Sequence, residues 1–230
     1  MSESTASEAA VSPLRGIVGC ERSRAVAREF EARGHEMLSC DIELPRHEGA
    51  HYTGNVFDVI DFPWDIGIFH PPCTHTAVSG SRHFQAKRMD GRLYAGAAFF
   101  LALVRRSRHI KGTAFEQPVS IMSTLYRKPD QIIQPWMFGH YETKATCLWL
   151  RELPLLVPTY RSSEECREAL GIPPGVAPAA RIHRMGPSDD RSEKRSETFP
   201  GIANAMAVQW GGPTQLDLVG GRLPEASNDE

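Results

Sequence analysis

Residues 14–42 read LRGIVGCERSRAVAREFEARGHEMLSCDI. A short apolar run comes first, Val26 and Phe30 follow at helical spacing, and a second apolar run ends in Asp41. Apolar runs of this length are typical of strands buried on both faces, and Gly34 is a helix stop signal. The segment therefore predicts a strand, a loop, a helix and a second strand, which is the repeating unit of a parallel α/β sheet.

The alternation of apolar runs and helical spacing continues along the chain. The pattern predicts a turn-rich segment at 51–61, a strand at 64–70 and a helix at 92–107. It further predicts a strand within 111–119 that ends at Glu116, one or two strands at 144–158 and a closing helix at 198–210. Ile202, Met206 and Trp210 share one face of the closing helix. The predicted fold class is a doubly wound α/β fold.

Changes in composition predict the domain organisation. Residues 1–13 and 213–230 are small and polar and are expected to be disordered, and residues 159–195 are rich in Pro, Ser, Arg and Glu. We therefore expect a main α/β domain at 14–158, a small insertion at 159–195, and a helix at 196–212 that closes the main domain.

Composition excludes several classes of protein. The chain has 230 residues, 41% of them hydrophobic, which suits one substantial core rather than a multidomain machine. Its net charge of −2 requires that any nucleic acid be held by local basic clusters. The 5 cysteines form no CxxC pair, and no secretion signal or membrane-length apolar run is present. We expect a soluble protein in a reducing cytoplasm.

The most distinctive segment is IGIFHPPCTHTAVSGSR at 66–82, an apolar strand that runs into two prolines and a cysteine. The carboxyl ends of parallel strands are where ligands bind in open α/β sheets. Two prolines stiffen the backbone, so Cys73 is either a positioned nucleophile or a structural cysteine after a turn. A metal site made by His70, Cys73 and His75 would lack a second ligand pair, so no metal is expected.

A second segment, TAFEQPV, places Glu116 at the end of an apolar strand. Glu116 is therefore expected at the same sheet edge as Cys73. A carboxyl group near an apolar pocket can have a raised pKa and donate a proton to a ring nitrogen. The alternative is a glutamate that caps a neighbouring turn.

The order of these segments resembles the DNA cytosine-5 methyltransferase family, particularly its small phage-type members. Pro71, Pro72 and Cys73 match the family's Pro-Pro-Cys loop, with Ser79 and Gly80 at its Ser and Gly. Further similar segments follow at Asp90, Arg92 and Leu93; at Glu116, Gln117 and Pro118 (Glu-Asn-Val or Glu-Asn-Pro); at Glu142, Lys144 and Thr146 (Gln-x-Arg-x-Arg); and at Gly201 and Asn204. The resemblance covers most of residues 14–210 and implies an S-adenosylmethionine-dependent methyltransferase fold.

The resemblance also implies a reaction. The Cys73 thiolate would add to carbon 6 of a cytosine flipped out of double-stranded DNA, while Glu116 bonds to ring nitrogen 3. Carbon 5 would then take a methyl group from S-adenosylmethionine. Lys144 and Arg82 are candidates for contacting the base or its phosphates, with surface solvation as the alternative.

The resemblance places the cofactor at the ends of the first strands. The loop after the first strand has Ser23 and Arg24 where glycine would be comfortable, which departs from the family pattern. Asp41 suits the acidic residue that bonds ribose hydroxyls, or it is a turn residue. The implied cofactor-binding residues are Gly19, Cys20, Glu21, Asp41, Ile42, Asn55, Val56, Pro71 and Asn204.

The implied recognition segment is short, because full family members have a sizeable domain where this chain has the insertion at 159–195. Its basic residues are expected to line the DNA backbone or to form a solvated loop. The implied nucleic-acid-binding residues are Ser79, Arg181, Arg184, Arg191 and Lys194. Two alternatives remain open: the same chemistry on RNA, a nucleotide or a modified pyrimidine, and an inactive nucleic-acid-binding relative. The resemblance indicates the cytoplasm of a bacterial or phage-infected cell.

Overall fold

The structure, a computed structural model, describes residues 12–180 and 197–212. A seven-stranded sheet forms its centre. The strands are β1 (Arg15–Gly19), β2 (Glu36–Asp41), β3 (His51–Thr53), β4 (Ile66–Phe69), β5 (Gly112–Pro118), β6 (Gln131–Ile133) and β7 (Thr146–Arg151). Most of both predicted tails and the basic part of the predicted insertion lie outside the described residues.

The strand order is β3-β2-β1-β4-β5-β7-β6. The first five strands pair in parallel, and β7 is antiparallel to both of its neighbours. The order runs outward from β1 in both directions, which is the pattern of a doubly wound sheet. The predicted Rossmann-like α/β fold class is therefore confirmed.

Helices cover both faces of the sheet. They are α1 (Ala25–Glu31), α2 (Phe84–Met89), α3 (Arg92–Arg106), α4 (Met122–Leu125), α5 (Ser163–Ala169) and α6 (Pro200–Trp210). The three apolar residues predicted to share a face of α6 are all buried. Among the described helices, none is both long and apolar enough to cross a membrane.

Alternate residues of each strand supply two separate cores. Val18 points to the core beneath α1 and α6, where Phe30 and Trp210 are buried. Ile17 points to the opposite core beneath α3, which contains Phe100. Successive strand side chains face opposite ways, so one apolar run fills both cores. This explains why the strands have continuous rather than alternating hydrophobicity.

The structure differs from the sequence prediction at three strands. β5 continues past Glu116 to Pro118, because Glu116 and the two residues after it pair with β7. β3 and β6 have only three residues each and lie at the two edges of the sheet. Such short segments have too few residues for a periodic apolar pattern, and their pairing depends on β2 and β7.

Arg24 links the loop after β1 to the loop between β2 and β3. It is fully buried, and its Nη2 donates to both carboxylate oxygens of Glu31 at 2.6 and 2.8 Å. Nη1 donates to Ser39 Oγ at 2.8 Å and to the Ala50 carbonyl, and Nε donates to the Glu48 carbonyl at 3.0 Å. One guanidinium thus satisfies acceptors on three parts of the fold.

Replacing Arg24 by methionine is expected to lower the free energy of unfolding by about 3 kcal/mol, because Glu31 and the loop carbonyls lose their partner. Chemical denaturation measures this change. The control is Arg28→Met at an exposed site on α1, which should stay within about 0.5 kcal/mol of wild type. Equal effects of the two substitutions would contradict the anchoring role of Arg24.

Candidate active site

The pairing of β4 with β5 places two polar side chains together at the carboxyl edge of the sheet. Phe69 is in register with Phe115, so the residues that follow them, His70 and Glu116, are also neighbours. His70 Nδ1 lies 2.8 Å from Glu116 Oε2, and the side chains are only 8% and 11% exposed. The two groups form a largely buried hydrogen-bonded pair.

Gln117 ties the Pro-Pro-Cys loop to β5. Its side chain is buried, and Nε2 donates to the carbonyl of Pro71 at 3.0 Å and to that of Pro72 at 3.4 Å. Gln117 directly follows Glu116 in the chain. The loop before Cys73 is therefore held by the strand that positions Glu116.

The backbone after Cys73 is also ordered. The Cys73 carbonyl accepts hydrogen bonds from the amides of Thr76 at 3.0 Å and Ala77 at 2.9 Å. On the carboxyl-terminal side of Cys73, the Thr74 carbonyl accepts a hydrogen bond at 2.6 Å from Nζ of the buried Lys87 of α2. Cys73 itself is half-buried. A partly accessible thiol on a loop held from both sides suits a positioned nucleophile.

Charges around the His70–Glu116 pair stabilise its ionised form. Burial alone would raise the pKa of Glu116, but the hydrogen bond and charge of His70, and the charge of Lys144, outweigh it and lower the pKa. Burial alone would lower the pKa of His70, but Glu116 and the charge of Glu21 outweigh it and raise the pKa. The expectation of a raised pKa at Glu116 is wrong, because sequence inspection did not reveal a histidine beside the carboxyl group.

The other predicted catalytic residues lie at different depths. Lys144 is half-buried just before β7, and its Nζ donates to the Glu197 carbonyl at 3.0 Å and lies 5.8 Å from the centre of the Phe199 ring. Its charge reaches Glu116. Arg82 is exposed, and its Nε donates to His83 Nε2 at 2.9 Å. The structure therefore places Lys144 where its charge acts on the pair and leaves Arg82 on the surface.

The loop after β1 has unusual backbone conformations. Cys20 and Arg24 have φ angles of 61° and 57°, in the left-handed region. For a residue with a side chain this conformation costs about 1–2 kcal/mol. Arg24 is one of the positions where the sequence suggested that glycine would be comfortable. Burial, followed by the charges of Asp41 and Cys40, raises the pKa of the Cys20 thiol.

Two predicted cofactor residues of the β1 region have structural roles. Glu21 is buried, and its carboxylate accepts from the amides of Val26 at 2.6 Å and Ala27 at 3.4 Å, which caps α1. Burial, the largest influence, raises the pKa of Glu21. A side chain at Gly19 would begin 2.7 Å from Phe69 Cδ1, so packing of the core also requires glycine there.

At the end of β2, Asp41 is half-buried and its Oδ1 accepts from the Glu43 amide at 3.0 Å, while Ile42 is 79% exposed. An acidic side chain next to an exposed apolar side chain fits a nucleoside, whose sugar has hydroxyl donors and whose base has an apolar face. These two residues are the part of the predicted cofactor set that best fits adenosine.

The remaining predicted cofactor residues have local roles. Asn55 Oδ1 accepts from the Phe57 amide at 3.0 Å, which caps a 3₁₀ helix, and Val56 is buried in the core. Pro71 is buried in the Pro-Pro-Cys loop. Asn204 is exposed on α6, and its Nδ2 donates to Glu29 Oε2 at 3.2 Å on α1.

The predicted nucleic-acid-binding residues are placed only in part. Ser79 is exposed on the 3₁₀ helix Val78–His83, which follows the Cys73 loop. The other predicted residues, Arg181, Arg184, Arg191 and Lys194, lie outside the described residues. Within residues 12–180 and 197–212, no cluster of three or more His, Cys, Asp or Glu side chains could hold a metal ion.

Sequence inspection missed the roles of three residues in the site. It considered His70 only as a metal ligand, Gln117 only through its resemblance to a family motif, and Lys87 not at all. His70 and Gln117 each directly adjoin a residue that was recognised, which is the signal that pointed to them. Their partners are distant in sequence, so only the sheet register reveals them.

No family profile and no curated protein matches the sequence. Among solved structures, the chain is similar to the Dnmt2 methyltransferase of S. pombe, with a TM-score of 0.40 and 10% sequence identity. The similar region covers 62% of this chain and 50% of that chain. This chain thus matches half the length of that structure, and no activity follows from a similarity at this level.

Gln117→Leu is expected to loosen the Pro-Pro-Cys loop, because the Pro71 and Pro72 carbonyls lose their donor, at a cost of about 1–3 kcal/mol. Amide hydrogen exchange at Thr76 and Ala77 should accelerate. Gln209→Leu is the matched control, since Gln209 makes two hydrogen bonds to Val157 on another part of the fold. Unchanged exchange in the Gln117 variant would contradict the clamp.

The His70–Glu116 pair predicts a pH window of stability. A lowered carboxyl pKa stabilises the fold above the ordinary value of 4.5 and loses this effect as pH falls. A raised imidazole pKa stabilises it below the ordinary value of 6.5 and loses this effect as pH rises. The stability difference between wild type and Glu116→Gln should therefore be largest between these two values.

We expect this difference to be about 3 kcal/mol at its maximum, because one charge of a buried pair loses its partner. Urea denaturation over a pH series measures it. The control is Glu43→Gln, which removes an exposed partner of Arg22 and should change stability by at most about 1 kcal/mol. A difference that does not vary with pH would refute the ionised pair.

Proposed function

We propose that this protein transfers a methyl group from S-adenosylmethionine to carbon 5 of cytosine in DNA through a covalent Cys73 adduct. One observation supports this proposal above the others. Gln117 holds the Pro-Pro-Cys loop against the strand that positions Glu116, so a thiol and a carboxylate are attached to one rigid frame. Both groups lie at the sheet edge where ligands bind in doubly wound folds.

The chain's own residues account for activation of the pyrimidine. The Cys73 sulfur forms a bond to carbon 6, and the ring electrons move to carbon 5, which becomes nucleophilic. Glu116 forms a hydrogen bond with the edge of the pyrimidine that contains nitrogen 3, and this contact orients the ring. Loss of the carbon-5 proton to a water molecule and breakage of the sulfur–carbon bond then restore the aromatic ring and release the Cys73 thiolate.

S-adenosylmethionine supplies an electrophilic methyl group on a sulfonium centre. Asp41 and Ile42 would hold the adenosine portion, through the ribose hydroxyls and the apolar face of adenine respectively. The loop after β1 would border the methionine portion. Because the Glu21 carboxylate already caps α1, we assign it to shaping this loop rather than to direct contact.

The proposed DNA contact combines local basic groups with a flipped base. Arg82 and Ser79 are exposed on the segment that follows the Cys73 loop, so they are suited to phosphates near the target nucleotide. Flipping exposes a cytosine to both Cys73 and Glu116. The same arrangement would accept a cytosine in single-stranded RNA, so the substrate class is decided by experiment.

The test is incubation of the protein with S-adenosylmethionine labelled in its methyl group, together with mixed DNA or RNA. We expect label at carbon 5 of DNA cytosine, its complete loss in Cys73→Ala, and a reduction of about 100-fold or more in Glu116→Gln. Cys166→Ala is the control and should retain activity, because Cys166 lies on α5.

A second measurement detects the covalent step directly. 5-Fluorocytosine has fluorine in place of the carbon-5 proton, so elimination after methyl transfer is blocked. With DNA containing this base and S-adenosylmethionine, wild type should form a stable adduct seen as a mass shift, and Cys73→Ala should not. Label on RNA alone would move the substrate to RNA. Absence of label, of adduct and of cofactor binding by calorimetry would refute methyl transfer and favour a nucleic-acid-binding role.

A further inference from the structure

His70 occupies the centre of the candidate site. Its backbone amide donates to the Gly19 carbonyl at 2.9 Å at the end of β1, and its ring Nδ1 lies 2.8 Å from Glu116 Oε2 at the end region of β5. It also precedes the two prolines that lead to Cys73. His70 thus connects the end of β1, the Pro-Pro-Cys loop and the Glu116 carboxylate.

The imidazole has an asymmetric environment. Its second nitrogen, Nε2, is buried and has no hydrogen-bond partner within the part of the chain that the structure describes. An unpaired buried donor is unfavourable, which opposes protonation of Nε2. The hydrogen bond between Nδ1 and Glu116 is the contact that offsets this cost and favours the charged ring. The proton on Nδ1 is therefore tied to the charge of Glu116.

Two charged groups on other elements act on this pair. Glu21, from the loop after β1, favours the charged form of His70. Lys144, from the segment before β7, disfavours the charged form of His70 and favours the ionised form of Glu116. Because Lys144 also acts on the carboxylate, Glu116 should remain partly stabilised as an anion when His70 is replaced.

We propose that His70 is the positioning residue of Glu116: its ring binds Oε2, keeps the carboxylate ionised, and leaves Oε1 to the substrate. This inference rests on the proposed function and extends it. An ionised Oε1 accepts a hydrogen bond and cannot donate one. Glu116 therefore selects a pyrimidine that presents an N–H donor on this edge, as the 4-amino group of cytosine does.

The first test does not require activity. The His70 ring is observed by ¹H–¹³C NMR through a pH titration, and its signal is assigned by its absence in His70→Asn. We expect the titration midpoint of His70 to fall in Glu116→Gln, because the charge that favours the imidazolium is removed. An unchanged midpoint would overturn the inference, whether or not the protein methylates DNA.

The second test uses the pH dependence of adduct formation with 5-fluorocytosine DNA. Asparagine retains a donor near the position of Nδ1 but has no charge, so His70→Asn should shift the acidic limb of the rate profile to higher pH. His70→Leu, without a donor, should lower the rate about tenfold or more while the KM for S-adenosylmethionine stays within about twofold. Restoration of part of the rate by asparagine would distinguish positioning from simple packing.

The control is His109→Asn, because His109 lies before the amino end of β5, at the opposite edge of the sheet from Glu116. It should leave both the rate and the acidic limb unchanged. If wild type forms an adduct and His70→Asn does not shift the acidic limb of the rate profile, the proposed role of His70 is refuted and the proposed function is not. If wild type forms no adduct, the proposed function fails, and the NMR titration still decides the inference.

Discussion

The parallel pairing of β4 with β5 is the constraint on which the candidate site depends. Phe69 and Phe115 are opposite each other in this pair, and their rings stack with centres 5.3 Å apart. A shift of one residue would turn every following side chain to the other face of the sheet. The buried aromatic contact therefore sets which residues meet at the carboxyl edge.

Two polar contacts follow from this register. His70 meets Glu116, and Gln117 reaches the carbonyls of the two prolines before Cys73. The first contact favours the ionised form of the carboxylate, and the second holds the loop that carries the thiol. Both groups are held by β5, so they keep a fixed position relative to each other. This arrangement is consistent with a reaction in which a nucleophile and a hydrogen-bond acceptor contact the same substrate ring.

The β1 side of the site is built differently. There a loop with left-handed Cys20 and Arg24 is held by the buried Arg24 guanidinium and by the Glu21 carboxylate at the start of α1. Strained conformations persist where surrounding contacts compensate for them. Side-chain contacts thus shape a loop for which the resembled family uses glycines, and Asp41 and Ile42 provide the exposed part of the proposed nucleoside site.

The amino-acid sequence by itself determined the α/β fold class and the longer elements β1, α1, β2, β4, α3, β5, β7 and α6, because apolar spacing within a short window reflects burial directly. It also singled out Cys73 and Glu116 as candidates, since each comes at or shortly after the end of an apolar run. Only the tertiary structure decided the antiparallel placement of β7, the short edge strands β3 and β6, and the partners of His70, Gln117 and Lys87. These contacts join residues far apart in the chain, and they depend on strand register and on the packing of both faces, which no local pattern encodes.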